Sequence, residues 1–182
     1  MKYLVGLVLA TILALVVALL LHLGAFKPVT VAIEEAGPLR MVYKSHTGPY
    51  HKIVPTIEEV EKWAAANGES CQISFGEYLD DPRVVDQDRL RSNGGCIVEG
   101  DWTDQLPEGF QFKEIPRQEY VTAIFTGAPS ISPYKVYPKA FKYMESMNLK
   151  HEGPILELYE RLPNAGFRTR YLFQFSRGSS SN

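Results

Sequence analysis

Cysteine, methionine and tryptophan are scarce in this chain, at two, four and two of its 182 residues. Two cysteines exclude a disulfide-dense scaffold and any four-cysteine zinc site. Cys71 and Cys96 can form one bridge in an oxidising compartment, but free cysteine is an ordinary core residue, so two buried thiols are the expectation. Charge of one sign is lacking too. Nineteen basic residues against 21 acidic ones leave a net charge of −2 with no basic stripe, which argues against a nucleic-acid partner. The chain has no phosphate-cradling glycine loop followed by lysine, no nucleophile elbow and no HExxH pair. His46 and His51 flank Gly48-Pro49 without a third ligand at a useful spacing, so neither a metal nor another cofactor is expected. Asp80-Asp81-Pro82 looks like a paired-carboxylate site, yet aspartate before proline is ordinary turn chemistry.

One long apolar run is present. Leu4 to Leu23 is broken only by Gly6, Thr11 and His22, enough to cross a bilayer's hydrocarbon core as a helix of about 20 residues. A cleaved signal peptide is the rival. Its apolar core is shorter, about 7 to 15 residues, and no small-x-small pair is well placed near Gly24-Ala25. Residues 1–27 are therefore expected to be a transmembrane anchor. Lys2 lies on one side of the run and Lys27 on the other, so charge leaves its orientation open.

The remaining residues, 28–177, suit one globular domain, and 178–182 a flexible tail. Alternation predicts strands over 29–34, 39–45, 72–79, 95–99, 110–115, 120–126, 154–159 and 168–175. Pro116 puts the strands at 110–115 and 120–126 in a hairpin-like relation. Helical spacing of Ile53, Ile57, Val60, Trp63 and Ala64 predicts one helix. A second runs from Ser132 through Tyr137 and Met144, with Pro138 kinking it or delaying its start.

The chain also echoes itself. Ser74 to Pro82 superposes on Ile155 to Pro163 with Tyr78 on Tyr159, and Val42 to Gly48 superposes on Val121 to Gly127 at nearly the same shift. The fold expected is α+β: duplicated strand-helix-strand-strand (SHS2-like) half-repeats, about 38–99 and 110–176, in an antiparallel sheet with two helices on one face. Two helices cover one face only. The apolar residues Leu156 and Leu158 are expected against the helices. Ile155, Glu157 and Tyr159 are then expected on the open face, in a pseudo-twofold groove opposite Ser74, Gly76 and Tyr78. In such a groove Glu157 balances a cation, while Tyr78, Tyr159, Tyr43 and Phe125 supply ring faces and Trp102 a lid.

Tyr43 to Tyr50 (YKSHTGPY), Tyr78 to Pro82 (YLDDP), Phe125-Thr126-Gly127 and Glu157-Leu158-Tyr159, in this order, resemble the GyrI-like small-molecule-binding domain. That domain also forms the effector-binding half of some AraC-type and MerR-type regulators. With its amino-terminal run and Cys96 to Gly100, the chain is most similar to a membrane-anchored branch of the family. The resemblance covers about residues 30–176. It implies a groove for an amphipathic, often cationic, small molecule, with an acid at the strand position that Glu157 matches. Some relatives are hydrolases of strained, cyclopropane-bearing toxins, so it also implies an alternative in which Glu157 is catalytic and Tyr159 or Tyr78 orients the water. A membrane-tethered protein-interaction module is a third reading.

Overall fold

The computed structural model describes residues 2–100, 102, 106–163 and 166–178. The tail expected at 178–182 lies outside them after Gly178. The elements are α1 (Lys2–Leu23), β1 (Val29–Ala36), β2 (Leu39–Thr47), α2 (Val54–Ala66), β3 (Ile73–Tyr78), β4 (Arg91–Ile97), β5 (Phe110–Ile115), β6 (Gln118–Thr126), α3 (Ser132–Ser146), β7 (Leu149–Arg161) and β8 (Phe167–Arg177). Alternating, β-branched and aromatic-rich runs make the strands. Residues buried at helical spacing make the helices: Ile57, Val60 and Ala64 in α2, and Ser132, Val136, Ala140 and Met144 in α3. Pro138 does not delay α3, which runs from Ser132 to Ser146 with the proline inside it.

All eight strands join one antiparallel sheet in the order β1-β6-β8-β7-β3-β4-β2-β5. From the central β7–β3 pair outward the order is the same on both sides: β3, β4, β2 on one, β7, β8, β6 on the other. This is the duplication made visible, each half a strand, a helix and two strands. The hairpin expected of residues 110–115 and 120–126 does not form. β6 is already flanked by β1 and β8, so β5 pairs with β2 instead.

The short connections force the sheet to curl. Only Gly37 and Pro38 join β1 to β2, although five strands lie between them in the sheet order. A flat sheet would hold them about 29 Å apart, and the link from Ala36 to Leu39 reaches about 11 Å. The concave side thus closes on itself, around Ala36, Met41, Phe75, Tyr120, Leu156, Leu158 and Leu172 from six strands. Both helices pack on the other side, α2 over β2, β3 and β4 and α3 over β1, β6 and β7.

This reverses the expected faces. Leu156 and Leu158 point away from the helices into the curled sheet, and Ile155, Glu157 and Tyr159 lie on the helix side. A period of two fixes which residues share a face. Which face takes the helices is another matter, because here curling buries the second face as thoroughly as helices bury the first.

Cys71 and Cys96 are joined in a disulfide, with their Cα atoms 5.5 Å apart, where two free thiols were expected. Cys96 pairs across the ladder with Ser74, which brings the segment leading into β3 against β4.

Leu156 is 4% exposed and directly opposite the buried Glu77 in the β3–β7 ladder. Leu156→Asp sets a second carboxylate beside the first in a dry interior and should cost about 3 to 5 kcal/mol. Val84→Asp, at a position 80% exposed, should change stability by less than about 0.5 kcal/mol. Urea unfolding of both variants checks the assignment, and equal losses would refute it.

Candidate functional site

β7 and β3 carry the centre of the site because the pseudo-twofold runs between them. Their register sets Glu157 directly opposite Gly76, Tyr159 opposite Ser74 and Tyr78 opposite Ile155. The β7–β8 hairpin adds Tyr171 beside Glu157. α3 crosses above and lowers Tyr137 onto them.

Four tyrosines thereby surround one carboxylate. Tyr137 donates to Glu157 Oε1 at 2.8 Å and Tyr159 to Oε2 at 2.9 Å. Tyr78 and Tyr159 hydroxyls are 2.9 Å apart. Tyr159 has one proton, already given to the carboxylate, so Tyr78 donates to Tyr159 when Glu157 is ionised. Tyr171 donates to Ser132 Oγ at 2.7 Å and stands close enough to favour the carboxylate as well. Tyr137 is braced edge-on by Tyr171 and Phe173, each 5.7 Å away between centroids. Tyr50 braces Tyr78 in the same manner at 4.7 Å.

The absence of a side chain at Gly76 is what lets Tyr78 fold over the strand. A Cβ there would lie 2.9 Å from the Tyr78 hydroxyl oxygen and 3.0 Å from Cζ. The room expected across from Glu157 exists, and the Tyr78 ring occupies it.

Electrostatics set Glu157 apart. It is 4% exposed, and burial pushes its pKa up to about 7 against the opposing pull of the Tyr137, Tyr159 and Tyr171 hydroxyls. Burial first, and the charge of Glu157 second, raise the hydroxyl pKa values of Tyr78, Tyr137, Tyr159 and Tyr171, so these groups stay neutral donors. Among the described residues no lysine, arginine or histidine pairs with Glu157. The fold's other deeply buried glutamate behaves differently. Glu77, on the concave side, takes Lys113 Nζ at 2.6 Å and Asn93 Nδ2 at 2.7 Å.

Of the residues singled out in the sequence, Glu157, Tyr159, Tyr78 and Gly76 come together. Tyr43 does not. It lies on the concave side, donates to Gln111 Oε1 at 2.9 Å and stacks under Lys113, because its parity in β2 is that of Met41. Phe125 shares the helix side, but β8 separates β6 from β7, and its ring is fully buried beneath Lys135. Trp102 packs on Trp63 at 5.1 Å and donates to Glu69 at 3.0 Å, at the α2 end of the first half. Tyr137 and Tyr171 escaped the sequence reading as site residues. The hairpin register could have shown Tyr171, since Arg161 paired with Phe167 implies Glu157 paired with Tyr171. Among the described residues no cluster of histidine, cysteine, aspartate or glutamate could hold a metal ion.

A family model described as the GyrI-like small molecule binding domain matches residues 30–174. No curated protein matches by sequence. Solved structures share the fold. The EcmrR C-terminal domain superposes with a TM-score of 0.65 at 16% identity, over 82% of this chain and 99% of that one. EcmrR in its DNA complex gives 0.65 at 14% identity, over 93% of this chain and 66% of that one. An uncharacterised conserved protein from Listeria innocua gives 0.53 at 13% identity, over 81% and 92%.

Glu157→Gln should remove a pH dependence of stability. A carboxyl whose folded pKa is raised binds its proton more tightly in the native state, so stability falls as pH rises from the unfolded value, about 4.5, through about 7. Above pH 7 the whole penalty is in place, up to about 3 kcal/mol. The variant should therefore match the parent at pH 4 and exceed it at pH 8, as read from denaturant midpoints at both pH values.

Proposed function

We propose that this chain, which belongs to the GyrI-like small-molecule-binding domain family, binds an amphipathic cation at Glu157, among Tyr78, Tyr137, Tyr159 and Tyr171. The observation that carries this is a buried carboxylate whose partners are hydroxyls alone. Leaving a carboxylate dry and without a cation costs stability, and a ligand's positive charge would offset that cost. Tyrosine ring faces add about 0.5 to 2 kcal/mol per good cation contact once water is excluded. A lipophilic body then packs where Tyr137 and Tyr78 now lie, which requires those rings to turn aside.

Tetraphenylphosphonium and the neutral tetraphenylsilane, which has the same four rings about a tetrahedral centre, separate charge from size. For the full chain in detergent, Glu157→Gln should weaken the cation at least about tenfold at pH 8, equivalent to about 1.4 kcal/mol, and leave the neutral compound unchanged. The parent's affinity for the cation should fall as pH drops through about 7, where Glu157 takes up its proton. Titration calorimetry showing equal losses for both compounds would refute the reading.

A hydrolase is the second reading, favoured by one observation. A carboxyl with a pKa near 7 is well matched to general-base work at neutral pH. Glu157 would take a proton from a water oriented by Tyr159 as the water oxygen bonds to a strained ring carbon; the ring bond at that carbon breaks, and the released atom takes the proton back from Glu157. Turnover of an epoxide or activated cyclopropane that Glu157→Gln abolishes would support this reading over simple binding.

The helix α1 is long and apolar enough to cross a membrane, and none of its residues is buried. We read it as an anchor that holds the binding domain at a bilayer. The Cys71–Cys96 disulfide favours placing that domain on the oxidising side, with Lys2 on the reducing side, since thiols in reducing compartments are kept open. Cells lysed into a polyethylene-glycol maleimide should yield chain that shifts in size only after prior reduction. Modification of both cysteines without reductant would overturn this orientation while leaving the ligand assignment intact.

A further inference from the structure

The junction between α1 and the domain is built rather than slack. Gly24, at a φ of +79°, closes α1 with a left-handed turn in which Ala25 N–H reaches Leu20 O at 2.9 Å and Gly24 N–H reaches Leu21 O at 3.1 Å. Leu23 O then accepts from Ala128 N–H at 2.9 Å, joining the helix end to the loop after β6. The ammonium of Lys135, on α3, takes the carbonyls of Gly24, Ala25 and Lys27 together and lies 4.9 Å from the centre of the Phe125 ring. The approach is close enough that a Cβ on Gly24 would stand 3.2 Å from Gly127 Cα.

Two exposed aromatic residues flank this junction. Phe26, 69% exposed, sits between two of the carbonyls that Lys135 binds, and Tyr134, 82% exposed, directly precedes Lys135. Aside from α1, where apolar exposure suits lipid, these are the most exposed aromatic side chains among the described residues. Only five residues, Gly24 to Pro28, separate α1 from β1, and they are folded into the capped turn. If α1 spans the bilayer, this end of the domain lies within the headgroup layer, which is about 5 to 8 Å deep on each side of the hydrocarbon. Aromatic residues are favoured there because a ring suits the apolar boundary and a hydroxyl suits the wet side.

We propose that Phe26 and Tyr134 form a lipid-contacting surface that seats the binding domain on the bilayer, in a fixed orientation set by the Lys135 cap. The proposal rests on the reading of α1 as an anchor. The occupant is the headgroup layer itself, continuous with the lipid around α1, and the rigid joint keeps the surface turned towards it.

The test uses the full chain in phosphatidylcholine vesicles. The native cysteines are paired, so Phe26→Cys, Tyr134→Cys or Val84→Cys offers one free thiol for an environment-sensitive nitrobenzoxadiazole label, with the parent chain as blank. Val84 is 80% exposed and lies in the β3–β4 connection, at the opposite end of the strands from α1. Lipids brominated high on the acyl chain should quench labels 26 and 134 several-fold more than label 84. Equal quenching at 134 and 84 in chain that resists carbonate extraction would overturn the proposal and leave the anchor standing. A signal at 134 that follows protein-to-lipid ratio and ignores bromination would make a second copy the occupant and overturn it as well. Release of the chain by carbonate would instead sink the anchor reading. Lys135→Met, which removes the cap while keeping the stem, should bring labels 26 and 134 closer to the quenching of label 84.

Discussion

A carboxylate held in a dry interior without a cation is the constraint around which this fold is arranged. Glu157 is desolvated by the sheet below it and by α3 above it, and the Tyr137 and Tyr159 hydroxyls recover part of the lost hydration. Neutral hydroxyls recover less than a cation would, which is why its proton stays on until near neutral pH. Glu77 shows that the fold is able to supply a cation to a buried acid, because Lys113 meets it on the other side of the same sheet. The contrast assigns Glu77 to structure and makes Glu157 the group with electrostatic demand left over.

The curled sheet makes that demand tolerable. A sheet with helices on one face ordinarily leaves the other face to water or to a partner. Here two-residue crossings draw the sheet's ends together, and Met41, Phe75, Leu156 and Leu172 complete a core that needs nothing from the helix side. The space between the sheet and its helices can then hold tyrosines, which pack less economically than leucine but carry hydroxyls and ring faces. Pseudo-symmetry places Tyr78 and Tyr159 as mutual counterparts, and their hydroxyls meet near the central strand pair. The duplication breaks at its centre, with Gly76 in one half and Glu157 in the other.

How much of this could be read from the residues depended on the range of the interaction. The strand-helix-strand-strand repeat was legible, because alternation, helical spacing and the Tyr78–Tyr159 echo are local patterns. So was the pairing of Gly76 with Glu157, which follows from the duplication alone. The faces were not. Alternation groups Leu156 with Leu158 and Glu157 with Tyr159, but only the crossings at Gly37-Pro38 and Pro116-Arg117 decide that the leucines turn inward to a curled sheet. Tyr43 was misplaced for a similar reason, since its own strand's parity sends it to the concave side with Met41. Tyr137 could not be seen because a helix's rotation over a sheet is set by packing, here by Val136, Ala140 and Met144 settling among Val121, Ala123 and Phe173. The disulfide overturned the expected free thiols, because only the ladder, which brings Cys96 level with Ser74, shows the two cysteines to be neighbours.

α3 ties these parts together, and its attachments say how a ligand would enter. Along its first six residues Ser132 accepts from Tyr171, Lys135 binds the carbonyls at the end of α1, and Tyr137 covers Glu157. Lifting the helix to expose the carboxylate would break the Lys135 cap and the Ser132 contact together, each desolvated on one side at least, and would pull Val136 from the core. Turning the Tyr137 ring breaks one hydrogen bond and its ring contacts with Phe141, Tyr171 and Phe173 and leaves the helix seated. The second motion disturbs fewer buried groups. The end of α1 therefore restrains the helix from which Tyr137 projects, and under the proposed binding role a ligand would reach Glu157 by rotation of that side chain above a fixed backbone.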